Sequence, residues 1–360
     1  MILMALDHTR DFLGVGANPV DLATTTTPLF FTRWITHFCA PTFFLLTGTS
    51  AYLSRRGKSD TQLSWHLFTR GAWLVLLEVT VFRCLALQFN FDYRTTLLLV
   101  LWALGWAMIV LSVLIYLPRP AIATFALILI LGHNALDPIR SATPLWSLLH
   151  SPNLILKTAE HQVFVGYSLI PWVGVTAVGY CLGVVYDWTP ERRRRFLLRS
   201  GLALVVAFFV LRGINIYGDP APWVMARRLI SFLNTTKYSP SLLFLLMTLG
   251  PALLLLRAMD GRTNPVLSTY GKVPLFYYLV HFALIHLIAV VVCYARYGEV
   301  HWLFESPSIA QVPFTSPPGW GLALPGVYLF WAIVVCSLYP LCAWYAGIKQ
   351  RSRHPLLSYL

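Results

Sequence analysis

Asp7, His8, Arg10 and Asp11 stand together in Asp7-His-Thr-Arg-Asp11, directly after the apolar residues 1–6. In a helix, His8 and Asp11 share a face at i, i+3, as do Asp7 and Arg10. A histidine beside a carboxylate is the ordinary construction of a general base: the acid, Asp7 or Asp11, fixes the tautomer and stabilises the imidazolium. Arg33 and His37 fall at i, i+4 in Phe31-Thr-Arg-Trp-Ile-Thr-His-Phe38, a pair suited to a carbonyl or a developing oxyanion. Lys237 and Tyr238, in Asn234-Thr-Thr-Lys-Tyr-Ser-Pro-Ser241, offer a cation for an anionic substrate or an anchor for a helix end. His281 and His286 are i, i+5, about 140° apart on a helix, so they do not make the one-faced pair of a metal site. No HExxH, close cysteine pair, glycine-rich phosphate loop or GxSxG elbow occurs, and no metal is expected. His281 lies nearer the middle of its apolar stretch and is the better functional candidate. Glu78 and Arg83, also i, i+5, face different ways and each needs a partner from another helix; structural ion pairing is the expected role.

The elements that carry these residues are set by composition. Of 360 residues, 57% are hydrophobic and 11% charged, with a mean hydropathy of +0.66, against roughly a quarter charged in a soluble domain. Too few charges remain to cover a water-facing surface, which excludes a soluble enzyme, a disordered chain and a secreted disulfide scaffold. Apolar stretches of about 20 residues cross a bilayer. Candidates cover residues 28–53, 66–87, 95–117, 121–136, 163–186, 201–217, 240–258, 273–294 and 322–346. Residues 1–6 read as the tail of a tenth helix whose beginning is missing. The expected fold is all-α, a polytopic transmembrane bundle of about ten spans forming one domain over residues 1–360. Inside such a bundle each ionisable side chain is expensive, so Asp7, Arg33, His37 and His281 are functional candidates by default.

The net charge of +13 is a matter of position. With ten helices, one side collects Arg55, Arg56, Lys58, Arg70, Arg119, Arg192, Arg193, Arg194, Arg195, Arg199, Arg257, Arg262, Lys272, Lys349, Arg351 and Arg353. Only four acids join them: Asp60, Asp187, Glu191 and Asp260. The positive-inside rule makes that side cytoplasmic, with both termini on it. The expected location is a bacterial inner membrane, with lipid rather than nucleic acid as partner. The run from Arg192 to Arg195 serves as a topology determinant, or meets anionic lipid or the phosphates of a nucleotide-bearing cofactor. The longer connections, 7–28, 137–161, 218–239 and 296–321, fall outside, where acceptor chemistry is expected. The six cysteines all sit in apolar runs and are expected to be reduced, buried packing residues.

Several stretches resemble the bacterial membrane proteins related to the catalytic domain of heparan-α-glucosaminide N-acetyltransferase. They are Leu3-Met-Ala-Leu-Asp-His-Thr-Arg-Asp-Phe12, Arg33-Trp-Ile-Thr-His-Phe-Cys-Ala-Pro-Thr-Phe-Phe-Leu-Leu-Thr-Gly48, Ile170-Pro-Trp-Val-Gly174 with Gly179 and Gly183, Thr236-Lys-Tyr-Ser-Pro-Ser241, and Tyr277-Tyr-Leu-Val-His281. The resemblance implies an acetyltransferase that takes acetyl-CoA from the cytosol as donor and acetylates an amino sugar or other glycan acceptor across the membrane. In the lysosomal enzyme the reactive histidine lies in the first lumenal loop, a little after an asparagine that ends the first helix. Here Asp7 takes the asparagine's place, the 11–28 loop holds no histidine, and His8 is the histidine left to substitute. His8, with Asp7 or Asp11, is then expected to be the base, with Arg33 and His37 on the thioester carbonyl. His281 completes the polar cavity, and Lys237 with Tyr238 guides the acceptor. The rival from another class is a proton-coupled transporter or lipid or glycan flippase that uses the same histidines as a relay.

Overall fold

The computed structural model describes residues 1–352 except Ala17, together with Leu357; Arg353 lies outside the described residues. The chain opens with α1 (Ile2–Leu13), α2 (Thr27–Thr36), α3 (Cys39–Leu53) and α4 (Asp60–Leu77), the last continuing as a π-helix over Glu78–Leu87. A strand, β1 (Thr95–Leu98), leads into α5 (Val100–Leu114), α6 (Arg119–Gly132) and the short α7 (Pro144–Leu149). Strands β2 (Leu154–Lys157) and β3 (Gln162–Val165) precede α8 (Leu169–Leu182) and α9 (Pro190–Ile214). The remainder is α10 (Arg228–Leu233), α11 (Leu242–Met259), α12 (Pro265–Lys272), α13 (Pro274–Tyr297) and α14 (Leu324–Arg351).

The protein is a polytopic helical membrane bundle. Among the described residues seven helices are long and apolar enough to cross a membrane: those over Thr27–Leu53, Arg119–Leu136, Leu169–Asp187, Pro190–Ile214, Leu242–Met259, Pro274–Tyr297 and Leu324–Arg351. The expected spans at 66–87 and 95–117 correspond to α4 with its π-helix and to the 15-residue α5.

Helices pack closely where glycines face one another. A Cβ on Gly48 of α3 would lie 1.9 Å from the Thr176 carbonyl of α8, and one on Gly179 would lie 2.1 Å from that of Leu45. Gly71 of α4 and Gly105 of α5 approach reciprocally, each ideal Cβ 2.5 Å from the other's carbonyl oxygen. Without a hydrophobic drive between helices in lipid, such close backbone contact supplies the packing.

The purely helical expectation needs correction at one end of the bundle. A three-stranded sheet of order β1-β3-β2, with β1 parallel and β2 antiparallel to β3, occupies the first residues of the expected spans at 95–117 and 163–186. Its edge is tied to a neighbouring loop through Thr95 Oγ1, which donates to the Ser306 carbonyl at 3.1 Å. Backbone outside helices is tolerated there because protein, not lipid, satisfies it. The span expected at 201–217 also begins earlier, at Pro190, since Pro at the helix start and the four arginines after it are compatible with a first helical turn.

Connections alternate between two ends, as the charge pattern requires. At one end Arg55 and Arg56 reach Asp187, and Arg193 and Arg194 clasp Asp260. At the other, Arg227 donates to the Leu22 and Thr25 carbonyls, Asn90 to that of Phe304, and Val15 to that of Leu322. The six cysteines are free, but Cys336 is exposed and Cys39 and Cys181 are half-buried. Only Cys84, Cys293 and Cys342 are core residues as expected, because the other three sit on helix faces turned partly or wholly outward.

Candidate functional site

The site is built on α1 and the break between α2 and α3. Helix α1 does not end at Asp7 but runs on to Leu13, burying Met4, Ala5, Leu6, Phe12 and Leu13 together with Asp7 and Arg10. The 28–53 stretch is two helices meeting at His37 and Phe38. Pro41 has no N–H for the His37 carbonyl, and the His37 amide bonds the Trp34 carbonyl at 3.1 Å rather than that of Arg33, so the hydrogen-bond ladder is interrupted there. Arg33 and His37 therefore sit on the last turn of a half-helix rather than along a straight rod.

That break aims Arg33 at α1. Its Nη1 donates to both carboxylate oxygens of Asp7, at 2.6 Å to Oδ1. Arg10 Nη2 reaches the same Oδ1 at 2.9 Å and Asp11 Oδ1 at 2.5 Å. The Thr36 hydroxyl adds a third donor to Asp7 at 2.9 Å. Asp7 is thus consumed as the counter-charge of two buried guanidiniums. This separates the roles of the two acids: Asp11, not Asp7, stands beside His8, its Oδ2 3.8 Å from Nδ1. The His8 side chain keeps 21% of its exposure and lies between Phe282 and His281, with ring centroids at 4.0 and 5.3 Å.

His281 and His37 are fully enclosed. His281 Nδ1 is spent on the Tyr277 carbonyl at 2.9 Å, while its Nε2 has no partner among the described residues. His37 packs edge-on to Phe244, and its Nδ1 is likewise unpartnered. The Tyr277 hydroxyl, one turn before His281, is a further buried orphan. His286 belongs elsewhere: it stacks on Phe89 at 3.9 Å and binds the Leu303 carbonyl at 2.8 Å.

Lys237 and Tyr238 close the site from the 234–241 loop. The Lys237 ammonium lies 5.1 Å over the Tyr238 ring, and its charge acts on Asp7. Crowding by protein raises the Tyr238 hydroxyl's pKa, but the charges of Lys237 and Arg33 outweigh it and hold the hydroxyl below its ordinary value. The loop is held by residues that sequence reasoning missed. Asp219 accepts from the Thr236 amide, the Thr236 hydroxyl and the Ser241 hydroxyl at 2.9, 2.9 and 2.7 Å. Asn134 accepts the Leu242 amide at 2.8 Å, and His133 binds the Pro240 carbonyl at 2.9 Å. Arg212, 1% exposed, braces the adjoining loop through the carbonyls of Ala221, Ser231, Phe232 and Asn234. Ser241 was legible as a helix cap before Leu242; nothing local marked Asp219 or Arg212.

The structure brings Asp7, His8, Asp11, Arg33, His37, Lys237, Tyr238 and His281 into one polar region, although they come from four separate parts of the chain. Against known families, the model of the heparan-α-glucosaminide N-acetyltransferase catalytic domain matches residues 1–217. The chain belongs to that family. No curated protein and no solved structure matches it. The family stretch contains Asp7, His8, Asp11, Arg33 and His37, whereas Lys237, Tyr238 and His281 lie beyond its end and pack back onto it.

Two other features bear on the chemistry. Asp7, His8 and Asp11 each offer a ligand atom within 4.8 Å of the others, but Arg10 and Arg33 occupy the Asp7 oxygens and oppose a second cation. A closer histidine–carboxylate pair, unanticipated from sequence, joins His150 Nε2 to Asp137 Oδ1 at 3.0 Å. It is 4% exposed at the histidine, with Asp137 also holding Asn134 at 2.8 Å. That pair fastens the end of α6 to α7. Glu78 and Arg83 do not pair with each other: Glu78 accepts the Leu101 and Trp102 amides, and Arg83 binds the Asn90 and Thr95 carbonyls and Asp92.

Proposed function

We propose that the protein is a transmembrane acetyltransferase that moves an acetyl group from acetyl-CoA to an amino sugar or other glycan acceptor on the far side of a bacterial inner membrane. The observation that carries this reading is the charge-paired Asp7–Arg33–Arg10 cluster, beside which stand the part-exposed His8–Asp11 pair, His281 against the His8 ring, and His37, the last two each with a ring nitrogen unpartnered among the described residues, inside the family stretch and its closing helix. His8, oriented by Asp11, takes the proton from the acceptor amine or hydroxyl as its lone pair attacks the thioester carbonyl carbon. The carbon–sulfur bond breaks, and the sulfur leaves as the free thiol of CoA once it regains a proton. Arg33, fixed by Asp7, and His37 stabilise the charge that develops on the carbonyl oxygen. Lys237 and Tyr238 receive the acceptor. The basic end of the bundle faces the cytosol, the donor's compartment.

The test is thiol release from acetyl-CoA by the purified protein in detergent, with and without glucosamine. Release that needs His8 supports the reading. Absence of release, with acetyl-CoA also failing to raise thermal stability, overturns it. Solute movement in proteoliposomes without thiol release would favour the transporter that the buried, unpartnered histidines also permit.

A further inference from the structure

The first turns of α9 treat their five arginines differently. Arg193 and Arg194 are neutralised by Asp260, at 2.8 and 2.9 Å. Arg192, Arg195 and Arg199 are exposed, and among the described residues none has a carboxylate within 4 Å. Their spacing of three and four residues places them on one helix stripe. With Trp188 and Phe196 they line an open cleft of about 330 Å³, and the Arg192 guanidinium sits 4.2 Å over the Trp188 ring.

The same stripe continues as Leu202, Val206 and Phe209, which are 48, 59 and 56% exposed. Counting about 20 residues of hydrocarbon core back from Ile214 reaches Arg195. Arg192 and Arg195 therefore stand at headgroup depth, and Arg199 about one turn inside, close enough for its long side chain to reach outward. An uncompensated guanidinium cluster at headgroup level, with an apolar track rising from it along a lipid-facing helix, is complementary to one molecule that carries both parts.

We infer that the cleft between Trp188 and Arg199 is a binding site for an anionic phospholipid, with the headgroup phosphate held by Arg192, Arg195 and Arg199 and an acyl chain lying along Leu202, Val206 and Phe209. The guanidinium forks supply the hydrogen bonds that phosphate oxygens accept. The indole and the Phe196 ring form the apolar wall at the interface, where aromatic side chains are favoured. A soluble phosphate would satisfy the arginines but leave the track above them unused.

Native mass spectrometry of the full-length protein in mild detergent tests the assignment, with phosphatidylglycerol and phosphatidylcholine of the same acyl chains as probes. Phosphatidylglycerol should be retained about tenfold or more over phosphatidylcholine. The triple variant Arg192→Gln, Arg195→Gln, Arg199→Gln should lose that preference, while the triple Arg→Lys variant and Arg140→Gln, at the other end of the bundle, should keep it. A thermal unfolding midpoint on each variant separates lost binding from lost fold. Should the glutamine triple unfold, reversal of the preference by Arg192→Glu alone reads the same contact. The inference is overturned if the folded triple variant retains the preference. It is equally overturned if glycerol phosphate or inorganic phosphate displaces the lipid, which would make the cleft a site for a soluble phosphate.

Discussion

Two sets of buried ionisable side chains stand in this bundle and are partnered in different ways. Around Glu78 and Arg83 the backbone provides most of the partners, with the Asp92 carboxylate joining Arg83 at 3.2 Å. The Glu78 carboxylate receives two amides at the start of α5, at 2.8 and 3.2 Å, and Arg83 donates to carbonyls of the 90–95 turn at 2.6 and 3.2 Å. Glu78 Oε2 thereby closes a helix end, with Oε1 unpartnered among the described residues, and Arg83 closes a turn. Around Asp7 the partners are side chains, Arg10, Arg33 and Thr36, and the surrounding histidines keep nitrogen atoms unused. The first arrangement closes a helix end and a turn; the second fixes charged side chains against one another and leaves ring nitrogens of the neighbouring histidines without partners among the described residues, as the proposed reaction would need.

The comparison breaks most forcefully at Asp7. Asp7→Ala leaves Arg33 buried without its counter-charge and Arg10 with Asp11 alone, and unfolding in detergent should show a loss of about 3–5 kcal/mol together with loss of thiol release. If Asp7→Ala were as stable as wild type, the cluster would not be the charge-paired unit described.

His8→Ala should separate chemistry from stability. Loss of the proposed general base should lower the acetyl-transfer rate by about 10²–10⁴-fold with the unfolding midpoint unchanged. His150→Ala should do the reverse, lowering the midpoint and leaving the rate per folded molecule within about threefold. An exchange of those two outcomes would move the base to the His150–Asp137 pair.

On the structural side of the comparison, Arg83→Met removes the donor to two carbonyls and Asp92 and should destabilise by about 1–3 kcal/mol. Glu78→Gln keeps one carbonyl oxygen for the α5 amides and should lose only about 1 kcal/mol. Both should leave the rate of the folded protein intact, as measured by thiol release normalised to folded fraction.

The smallest effect is expected at the mouth. Lys237→Gln should raise KM for the acceptor a few-fold, roughly the loss of one partly solvated charge contact, with kcat retained. A fall in kcat at constant KM would place Lys237 in the chemistry instead.

Much of this was readable along the chain because it depends on local pattern. The apolar spans, the alternation of basic and neutral connections, the i, i+3 placement of His8 with Asp11 and the Ser241 cap all arise from residues close in sequence. Even the interruption at His37 had its cause on view in Pro41, four residues on. What could not be read was which charge meets which.

Composition and periodicity determined that this is a membrane bundle, which end is basic, and which polar residues are stranded in apolar surroundings. Their residue types bounded the chemistry they can do. Tertiary structure alone decided that Asp7 serves Arg33, 26 positions away, so that Asp11, which also pairs with Arg10, is the acid that turns an oxygen toward His8. It also set a small sheet across the ends of two expected spans, brought Lys237 and His281 to a site begun in α1, and assigned Asp219 to hold the loop between them. The physical reason is that a buried charge takes whichever opposite group the helix packing delivers to it. That packing is set by close glycine contacts and core shape distributed over the whole chain.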